Sequence, residues 1–373
     1  MWKKLVHVIE SEIDDIRYGI ERLAGIQKPL QIKAYTGYGN QEYLRVTGRV
    51  LARRDIPAVT ASDAIWKNFV NISKNWLTDE VPGARIETRY EDTVLETVAD
   101  EEGYFEIQIP WQSPRSGTAQ WPIVELTLLD PVRENPVREF ATIQVPGVGG
   151  EFGIISDIDD TIMETGATNF LRAARNTFLG NAHTRVVFSG VSALYAALAR
   201  GRNCSELNPF FYITSSPWNL YDFISHIFEL RNVPRGTLFM TDWGIDEDTF
   251  LMKGHHSHKK HAIRQVLDTY PELRFVCIGD SGQKDPEIYT EMLDEYPDRF
   301  LAFYIRDVTG DKRDKAVTNL IEKASGAGVD MILAEESYTV AQHAAEIDLI
   351  RKCELPAILG REKADLAEAE EGG

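Results

Sequence analysis

The stretch of sequence that determines the fold is residues 152–161, which read FGIISDIDDT. Its first four residues form an apolar run of strand length, which is typical of a strand buried on both faces of a parallel sheet. Asp157 and Asp159 follow this run closely. Because two carboxylates at a buried strand end are costly to desolvate, we expect both to belong to a functional site.

Later parts of the chain repeat this pattern and predict a doubly wound α/β fold. Apolar runs alternate there with amphipathic stretches of helical length, as expected for a parallel sheet that carries helices on both faces. The predicted strands are 152–155, 210–213, 237–240, 275–278 and 300–305, and the predicted helices are 191–200, 218–232, 259–269 and 286–295.

Oxygen-bearing side chains follow most of these strands. They are Asp157 and Asp159 after the first, Thr214, Ser215 and Ser216 after the second, Asp242 after the third and Asp280 after the fourth. Ligands of open α/β sheets bind beyond the carboxyl ends of the strands, so we expect these side chains to meet in one crevice. Clustered aspartates repel one another unless a cation is present, and hard oxygen ligands favour Mg²⁺ over Zn²⁺. Since Mg²⁺ also binds phosphate oxygens, the pattern predicts phosphoryl transfer.

Four elements resemble, in the right order, the motifs of the haloacid dehalogenase superfamily of phosphotransferases, and this implies a haloacid dehalogenase-like sheet. Residues 157–161 resemble its nucleophile motif, the strand ending in Thr214 its second motif, Lys259 its third, and residues 279–285 its acidic fourth. Longer stretches resemble one family within it, the actin-patch phosphatidate phosphatases, which are related to the lipins. These stretches are 215–221, 258–259 and 279–289, and similar segments at 170–190 and 242–244 extend the likeness over most of residues 150–350.

The resemblance and the chemistry of the side chains together suggest catalytic roles. Asp157 is expected to attack phosphorus and to carry the phosphoryl group, which splits one difficult displacement into two easier ones. Asp159 is expected to protonate the leaving oxygen and later to activate water. Thr214 and Lys259 are expected to bind and neutralise the phosphoryl oxygens.

The same reasoning assigns a metal site and a substrate site. Asp157, Asp159 through its backbone carbonyl, and Asp280 are expected to hold Mg²⁺, and Asp285 to complete or orient that shell. Asp285 precedes a proline at a predicted helix start, so helix capping is its alternative role. The further candidates for binding the substrate are Thr161, Ser215, Ser216, His258 and Lys284.

The function implied by the resemblance is that of a magnesium-dependent phosphatase, which hydrolyses phosphatidate to diacylglycerol and phosphate through an aspartyl-phosphate intermediate. Two alternatives stay open: the same chemistry on a soluble phosphomonoester, and a lipid- or phosphoprotein-binding module without turnover. Such modules typically lack the nucleophile or the acid, whereas Asp157 and Asp159 are both present.

A histidine-rich run at residues 254–261 holds half of the eight histidines. His258 and His261 could share a helical face and bind zinc, but no cysteine or carboxylate stands at a regular spacing beside them. We therefore favour a role for His258 in orienting the phosphate, or in capping the helix that Lys259 is predicted to open.

Spacing patterns divide the whole chain into four parts. Apolar residues recur every three or four positions in residues 1–28, which predicts an amphipathic helix. Short alternating segments in residues 29–148 predict a small antiparallel β-sandwich. Residues 149–358 form the predicted catalytic domain, and residues 359–373 are acidic and predict a solvated tail.

Composition narrows the cellular setting and the partners. The net charge of the 373 residues is −18, which argues against nucleic-acid binding because a phosphate backbone needs a cationic face. The three cysteines lie far apart and favour a reducing compartment. No apolar run reaches membrane-spanning length, so we expect a cytoplasmic protein, with peripheral membrane contact left open.

Overall fold

The computed structural model describes residues 29–52, 79–112, 121–147, 149–163, 187–204, 208–241, 247–309 and 314–371. The predicted helix of residues 1–28 and the strand-end residue Asp242 lie outside these described residues.

The first described region is built of strands. They are β1 (Leu30–Ala34), β2 (Gly37–Gly39), β3 (Tyr43–Ala52), β4 (Asp79–Glu80), β5 (Arg85–Tyr90), β6 (Thr93–Val98), β7 (Tyr104–Pro110), β8 (Ile123–Asp130) and β9 (Arg138–Gln144).

Hydrogen bonds join these nine strands into one continuous sheet. β2 pairs with β3 in antiparallel fashion and with β9 in parallel, and β2 thereby links the two halves. Alternating side chains from both halves, among them Val46, Ile107 and Leu126, share one apolar core. The sheet therefore differs from the antiparallel sandwich that was predicted. Its parallel pair could not be predicted, because the short, glycine-flanked strand β2 has no alternating pattern.

The second region contains a six-stranded parallel sheet and confirms the predicted α/β class. Its strands are β10 (Gly153–Asp157), β11 (Phe210–Pro217), β12 (Thr237–Thr241), β13 (Phe275–Asp280), β14 (Phe300–Arg306) and β15 (Asp330–Ala334). Their order across the sheet is β12-β11-β10-β13-β14-β15, and every adjacent pair is parallel. The strand order reverses between β10 and β13, which is where open sheets of this kind form a ligand crevice.

Helices cover both faces of this sheet. They are α1 (Val191–Arg200), α2 (Tyr221–Leu230), α3 (Glu247–Thr269), α4 (Asp285–Glu295), α5 (Asp314–Gly326), α6 (Ser337–Glu346) and α7 (Leu355–Glu371). Ile154 of β10 lies in one apolar core with α1, α2 and α6, whereas its neighbour Ile155 lies in a second core with α3 and α4. Successive side chains of a strand point to opposite faces, so the two cores lie on the two sides of the sheet.

Two sequence predictions about helices are wrong. α3 begins at Glu247 rather than at Lys259, so Lys259 lies inside the helix and does not open it. The residues just before Lys259, which include most of the histidine-rich run, have no apolar stripe that would predict a helix. Apart from Gly254, however, they are all compatible with one. Residues 359–371 of the predicted solvated tail are helical and form most of α7, in which Glu362 is buried.

The region of strands β1–β9, called the β-region below, packs against the residues that follow β11. Tyr35 stacks on Trp218 with the ring centroids 4.1 Å apart. The backbone N–H of Thr36 donates to the Tyr221 hydroxyl at 2.9 Å. These contacts place the β-region directly beside the loop that continues from Thr214.

Candidate active site

The loop after β10 carries the predicted nucleophile. Asp157 is the last residue of β10 and its exposed fraction is 2%. The buried side chains of Ile158 and Ile162 anchor the loop, and Asp160 turns it with a left-handed backbone conformation, φ 58°. Thr161 Oγ1 donates a hydrogen bond to Asp157 Oδ2 at 3.3 Å. The loop therefore holds the Asp157 carboxylate in a buried, fixed position.

Lys259 lies between two buried carboxylates. Its Nζ is 2.8 Å from Asp157 Oδ1 and 2.6 Å from Asp285 Oδ1. α3 delivers this side chain because Lys259 shares a helix face with Ile263 and Val266, which are buried in the core beneath the sheet. The apolar face of α3 thus fixes the position of the ammonium group.

Asp280 completes a group of three carboxylates. It ends β13, the neighbour of β10, and one ligand oxygen from each of Asp157, Asp280 and Asp285 lies within 4.8 Å of the others. Asp280 Oδ1 accepts hydrogen bonds from the backbone N–H groups of Gly282 at 2.7 Å and Gln283 at 2.8 Å. Its buried Oδ2 has no hydrogen-bond partner among the described residues. The three carboxylates outnumber the Lys259 ammonium by two charges, which is the charge of a divalent cation.

Burial governs the electrostatics of this cluster. It raises the pKa of Asp157 well above its ordinary value; Lys259 opposes that rise and Asp285 adds to it. Burial and the neighbouring Asp285 raise the pKa of Asp280 to about 7. Burial disfavours the charge of Lys259, but Asp157 and Asp285 hold the pKa of its ammonium above the ordinary value. Each of these three shifts raises a pKa and so favours the protonated form of its group, which makes the cluster less negative.

Asp159 has a different set of partners. Its Oδ2 accepts hydrogen bonds from Thr214 Oγ1 at 2.5 Å and from Ser216 Oγ at 3.3 Å. Burial raises the pKa of this carboxyl, and the hydrogen bond from Thr214 opposes the rise. The Thr214 hydroxyl thus holds Asp159, and the predicted role of Thr214 in binding phosphoryl oxygens stays a prediction.

The remaining predicted substrate residues differ in their placement. Ser215 Oγ is buried and has no partner within the described part of the chain, so it is available to a ligand. His258 is half-buried beside Lys259 on α3, and Lys284 is exposed in the turn before α4. Among the described side chains, no histidine joins the metal-spaced group of carboxylates, so the zinc alternative gains no support.

Two residues without a predicted role contact Asp157 or the loop that follows it. Gln283 Nε2 donates to Asp157 Oδ2 at 3.3 Å and to the Asp159 carbonyl at 3.1 Å. Arg306 Nε donates to the carbonyl of Thr161 at 3.1 Å and so supports the loop after β10 from the neighbouring side. Gln283 lies inside the acidic fourth motif and Arg306 ends a buried strand, and these positions were the signals that could have found them.

Comparison with known proteins connects this geometry to a family. Residues 152–307 match the family described as phosphatidate phosphatase APP1, catalytic domain. This region is similar to that catalytic domain. The match to the APP1 catalytic domain begins one residue before β10 and ends just after β14, so it includes every member of the carboxylate cluster.

Two relatives support the same connection. Phosphatidate phosphatase APP1 of Saccharomyces cerevisiae is 31% identical over 187 residues, which are 49% of this chain and 30% of that protein. An uncharacterised protein of Schizosaccharomyces pombe is 28% identical over 217 residues, which are 56% of this chain and 34% of that protein. The chain therefore spans about a third of the length of these two curated relatives.

One solved structure illustrates a weak resemblance. A carbohydrate acetylesterase from Xanthomonas citri covers 86% of this chain and 75% of its own, at 11% identity and a TM-score of 0.32. This TM-score is too low to support an argument about fold or function.

In the part of the chain that the structure describes, no helix has the length and apolar character needed to cross a membrane.

Proposed function

We propose that the chain is a magnesium-dependent phosphatase of the haloacid dehalogenase type, which hydrolyses phosphatidate through an aspartyl-phosphate intermediate. The observation that carries this proposal is the buried cluster of Asp157, Asp280 and Asp285 around Lys259. It lies within the region that matches the APP1 catalytic domain.

The donor set supports Mg²⁺ as the cation. All donors are hard oxygens, and Asp280 Oδ2 is buried without a partner among the described residues, which is costly unless a cation binds it. We assign Asp157, Asp280 and the backbone carbonyl of Asp159 as ligands. Asp285 accepts hydrogen bonds from Lys259 and from the Asp280 N–H, so we assign it the role of orienting the ligands. When bound, Mg²⁺ would shield the phosphoryl charge and lower the pKa of Asp157.

Asp157 is the proposed nucleophile. One carboxylate oxygen bonds to phosphorus while the bond between phosphorus and the diacylglycerol oxygen breaks, which leaves an aspartyl phosphate. Water then attacks phosphorus, the bond between phosphorus and the Asp157 oxygen breaks, and inorganic phosphate leaves. Lys259, 2.8 Å from Asp157, favours the ionised nucleophile and neutralises the phosphoryl oxygens.

Asp159 is the proposed acid and base. Burial raises the pKa of its carboxyl, so a larger fraction carries a proton near neutral pH than for an exposed aspartate. That proton passes to the diacylglycerol oxygen in the first step. The resulting carboxylate accepts a proton from the attacking water in the second step, while Thr214 and Ser216 hold it in position.

Phosphatidate is the proposed substrate because the Saccharomyces cerevisiae relative is a phosphatidate phosphatase. The test is phosphate release from phosphatidate in mixed micelles with Mg²⁺, compared with a panel of sugar and nucleotide phosphates. We expect the highest kcat/KM with phosphatidate, no activity in excess chelator and no rescue by Ca²⁺, whose looser coordination misplaces the phosphoryl oxygens.

The outcomes separate the alternatives. Turnover of one soluble ester without lipid hydrolysis would contradict the substrate and keep the chemistry. Lipid binding without hydrolysis of any ester would favour a non-catalytic binding module. Full activity in excess chelator would contradict the metal assignment.

A further inference from the structure

The side chain of Gln283 connects three groups of the site. Its Nε2 donates hydrogen bonds to Asp157 Oδ2 at 3.3 Å and to the Asp159 carbonyl at 3.1 Å. Its Oε1 accepts a hydrogen bond from Lys259 Nζ at 3.2 Å. A neutral amide thus uses both of its ends at the point where the carboxylates meet the lysine.

The two oxygens that Gln283 contacts are also needed by a cation. Asp157 Oδ2 and the Asp159 carbonyl are oxygen ligands suited to Mg²⁺, and the amide hydrogens already lie against both of the oxygens that a cation would approach. Both the amide hydrogens and the cation are positive, so they repel one another at short range. The amide of Gln283 therefore competes with a cation at this position.

Gln283 also occupies a donor of Lys259. A lysine ammonium has three N–H donors, and here the Lys259 Nζ forms an ion pair with Asp157 Oδ1 and donates hydrogen bonds to Asp285 Oδ1 and Gln283 Oε1. The bond to Gln283 is the longest of the three and the only one to a neutral group. Departure of Gln283 leaves Lys259 with both carboxylates and releases one donor toward a phosphate oxygen.

We propose that Gln283 is a latch, whose side-chain amide bridges Asp157, Asp159 and Lys259 and leaves when a divalent cation and a phosphate group bind. This inference rests on the proposed function, because it assumes the cation and phosphate site described above. Departure of the Gln283 side chain frees the cation position and the Lys259 donor together, so the latch couples the binding of the two ligands.

The position of Gln283 allows this movement. Gln283 is half-buried and follows the exposed Gly282, so part of the residue is already in contact with solvent. Its backbone N–H donates to Asp280 Oδ1 at 2.8 Å, and that bond does not depend on the side chain. The loop can therefore keep its hold on Asp280 while the amide swings away and bonds to water.

The test is titration calorimetry of the full chain with Mg²⁺ alone and, in chelator, with inorganic phosphate alone. In Gln283→Ala we expect both ligands to bind about five- to tenfold more tightly, because neither competes with the amide hydrogen bonds. Gln283→Asn shortens the amide arm and should act in the same direction. The matched control is Gln265→Ala, at a half-buried glutamine six residues beyond Lys259 on α3, which should leave both affinities unchanged.

Unchanged or weaker Mg²⁺ binding in folded Gln283→Ala and Gln283→Asn would overturn the latch. Far-ultraviolet circular dichroism checks the fold, and Gln283→Asn carries the test if the alanine variant does not fold. Asp280→Asn should lose Mg²⁺ binding. If it binds Mg²⁺ as the parent does, or if the parent binds none, the proposed metal site itself fails, and this outcome differs from failure of the latch alone.

Discussion

Two aspartates that lie two positions apart in the sequence are given different properties by their partners. Asp157 pairs with the Lys259 ammonium, whereas Asp159 accepts hydrogen bonds from the hydroxyls of Thr214 and Ser216. Separate environments of this kind let one carboxylate act as a nucleophile and another as an acid. The proposed division of roles between the two aspartates therefore follows from the different partners of their side chains.

Replacing Asp159 by asparagine should remove the proton donor while preserving shape. We expect kcat for phosphatidate to fall by about 10²–10⁴-fold. With an activated aryl phosphate, whose leaving group needs little protonation, stopped-flow measurements should show a burst of product followed by slow turnover. If the first turnover were as slow as the later ones, so that no burst appeared, the assignment of Asp159 as the acid would be contradicted.

Stability should depend on pH through Asp280. The pKa of this carboxyl is about 7 in the folded protein, above its ordinary value, so the folded state binds more protons than the unfolded state between these values. The free energy of unfolding in chelator should therefore be higher at pH 5 than at pH 8, by about 2 kcal/mol from this group. Chemical denaturation of the parent and of Asp280→Asn measures it, and an equal pH dependence in both would contradict the shift.

Among the secondary-structure elements, α7 has a structural role that its composition conceals. Glu362 of α7 is 5% exposed and accepts hydrogen bonds from the backbone N–H groups of Ser337 at 2.7 Å and Tyr338 at 3.3 Å. Asp365 accepts a hydrogen bond from the Gly190 N–H at 2.9 Å, beside the start of α1. α7 thus satisfies the first N–H groups of α6 and holds α1 and α6 together.

Glu362→Ala should destabilise the protein by about 2 kcal/mol, because two buried N–H groups lose their acceptor. Urea unfolding measures the effect. Glu368→Ala, at an exposed position near the end of the same helix, is the matched control and should change stability by less than about 0.5 kcal/mol. Equal effects of the two substitutions would show that α7 does not cap α6.

The elements that could be predicted from sequence are those with a strong apolar signal. The buried strands around Asp157 and Asp280 were predicted to within two residues at each end, because an unbroken apolar run of this short length is typical of a strand covered on both faces. The start of α3 and all of α7 were missed, because their sequences are rich in charged and small residues that resemble a loop or a tail. The contact between Thr214 and Asp159 depends on side-chain rotamers and on the register of β10 and β11, which no sequence pattern reports.

At the scale of the whole molecule, the β-region is part of the support of the candidate site. Buried Arg49 of β3 donates to the Glu102 carbonyl at 2.8 Å, to Glu80 Oε1 at 3.1 Å and to Asn219 Oδ1 at 3.2 Å. Asn219 lies just beyond the strand end that carries Thr214. One guanidinium group therefore ties strand β4 and the turn before β7 to the residues that follow β11.

Arg49→Met should cost about 2–3 kcal/mol of stability, because it removes the three hydrogen bonds that a buried guanidinium group makes. It should also lower kcat/KM about tenfold, since a looser loop displaces Thr214 and Asp159. Denaturant unfolding followed by circular dichroism and by tryptophan fluorescence tests the first effect and a phosphate-release assay the second. Arg85→Met, at an exposed ion pair with Glu96, is the control and should be close to neutral.

The central claim is that Asp157 carries the phosphoryl group beside a cation held with Asp280. A crystal structure with Mg²⁺ and beryllofluoride, which mimics an acyl phosphate, tests it most directly. We expect beryllium to be bonded to an Asp157 carboxylate oxygen, with Mg²⁺ in contact with Asp157 and Asp280. Beryllium bonded to another carboxylate, or Mg²⁺ bound away from Asp280, would contradict the account.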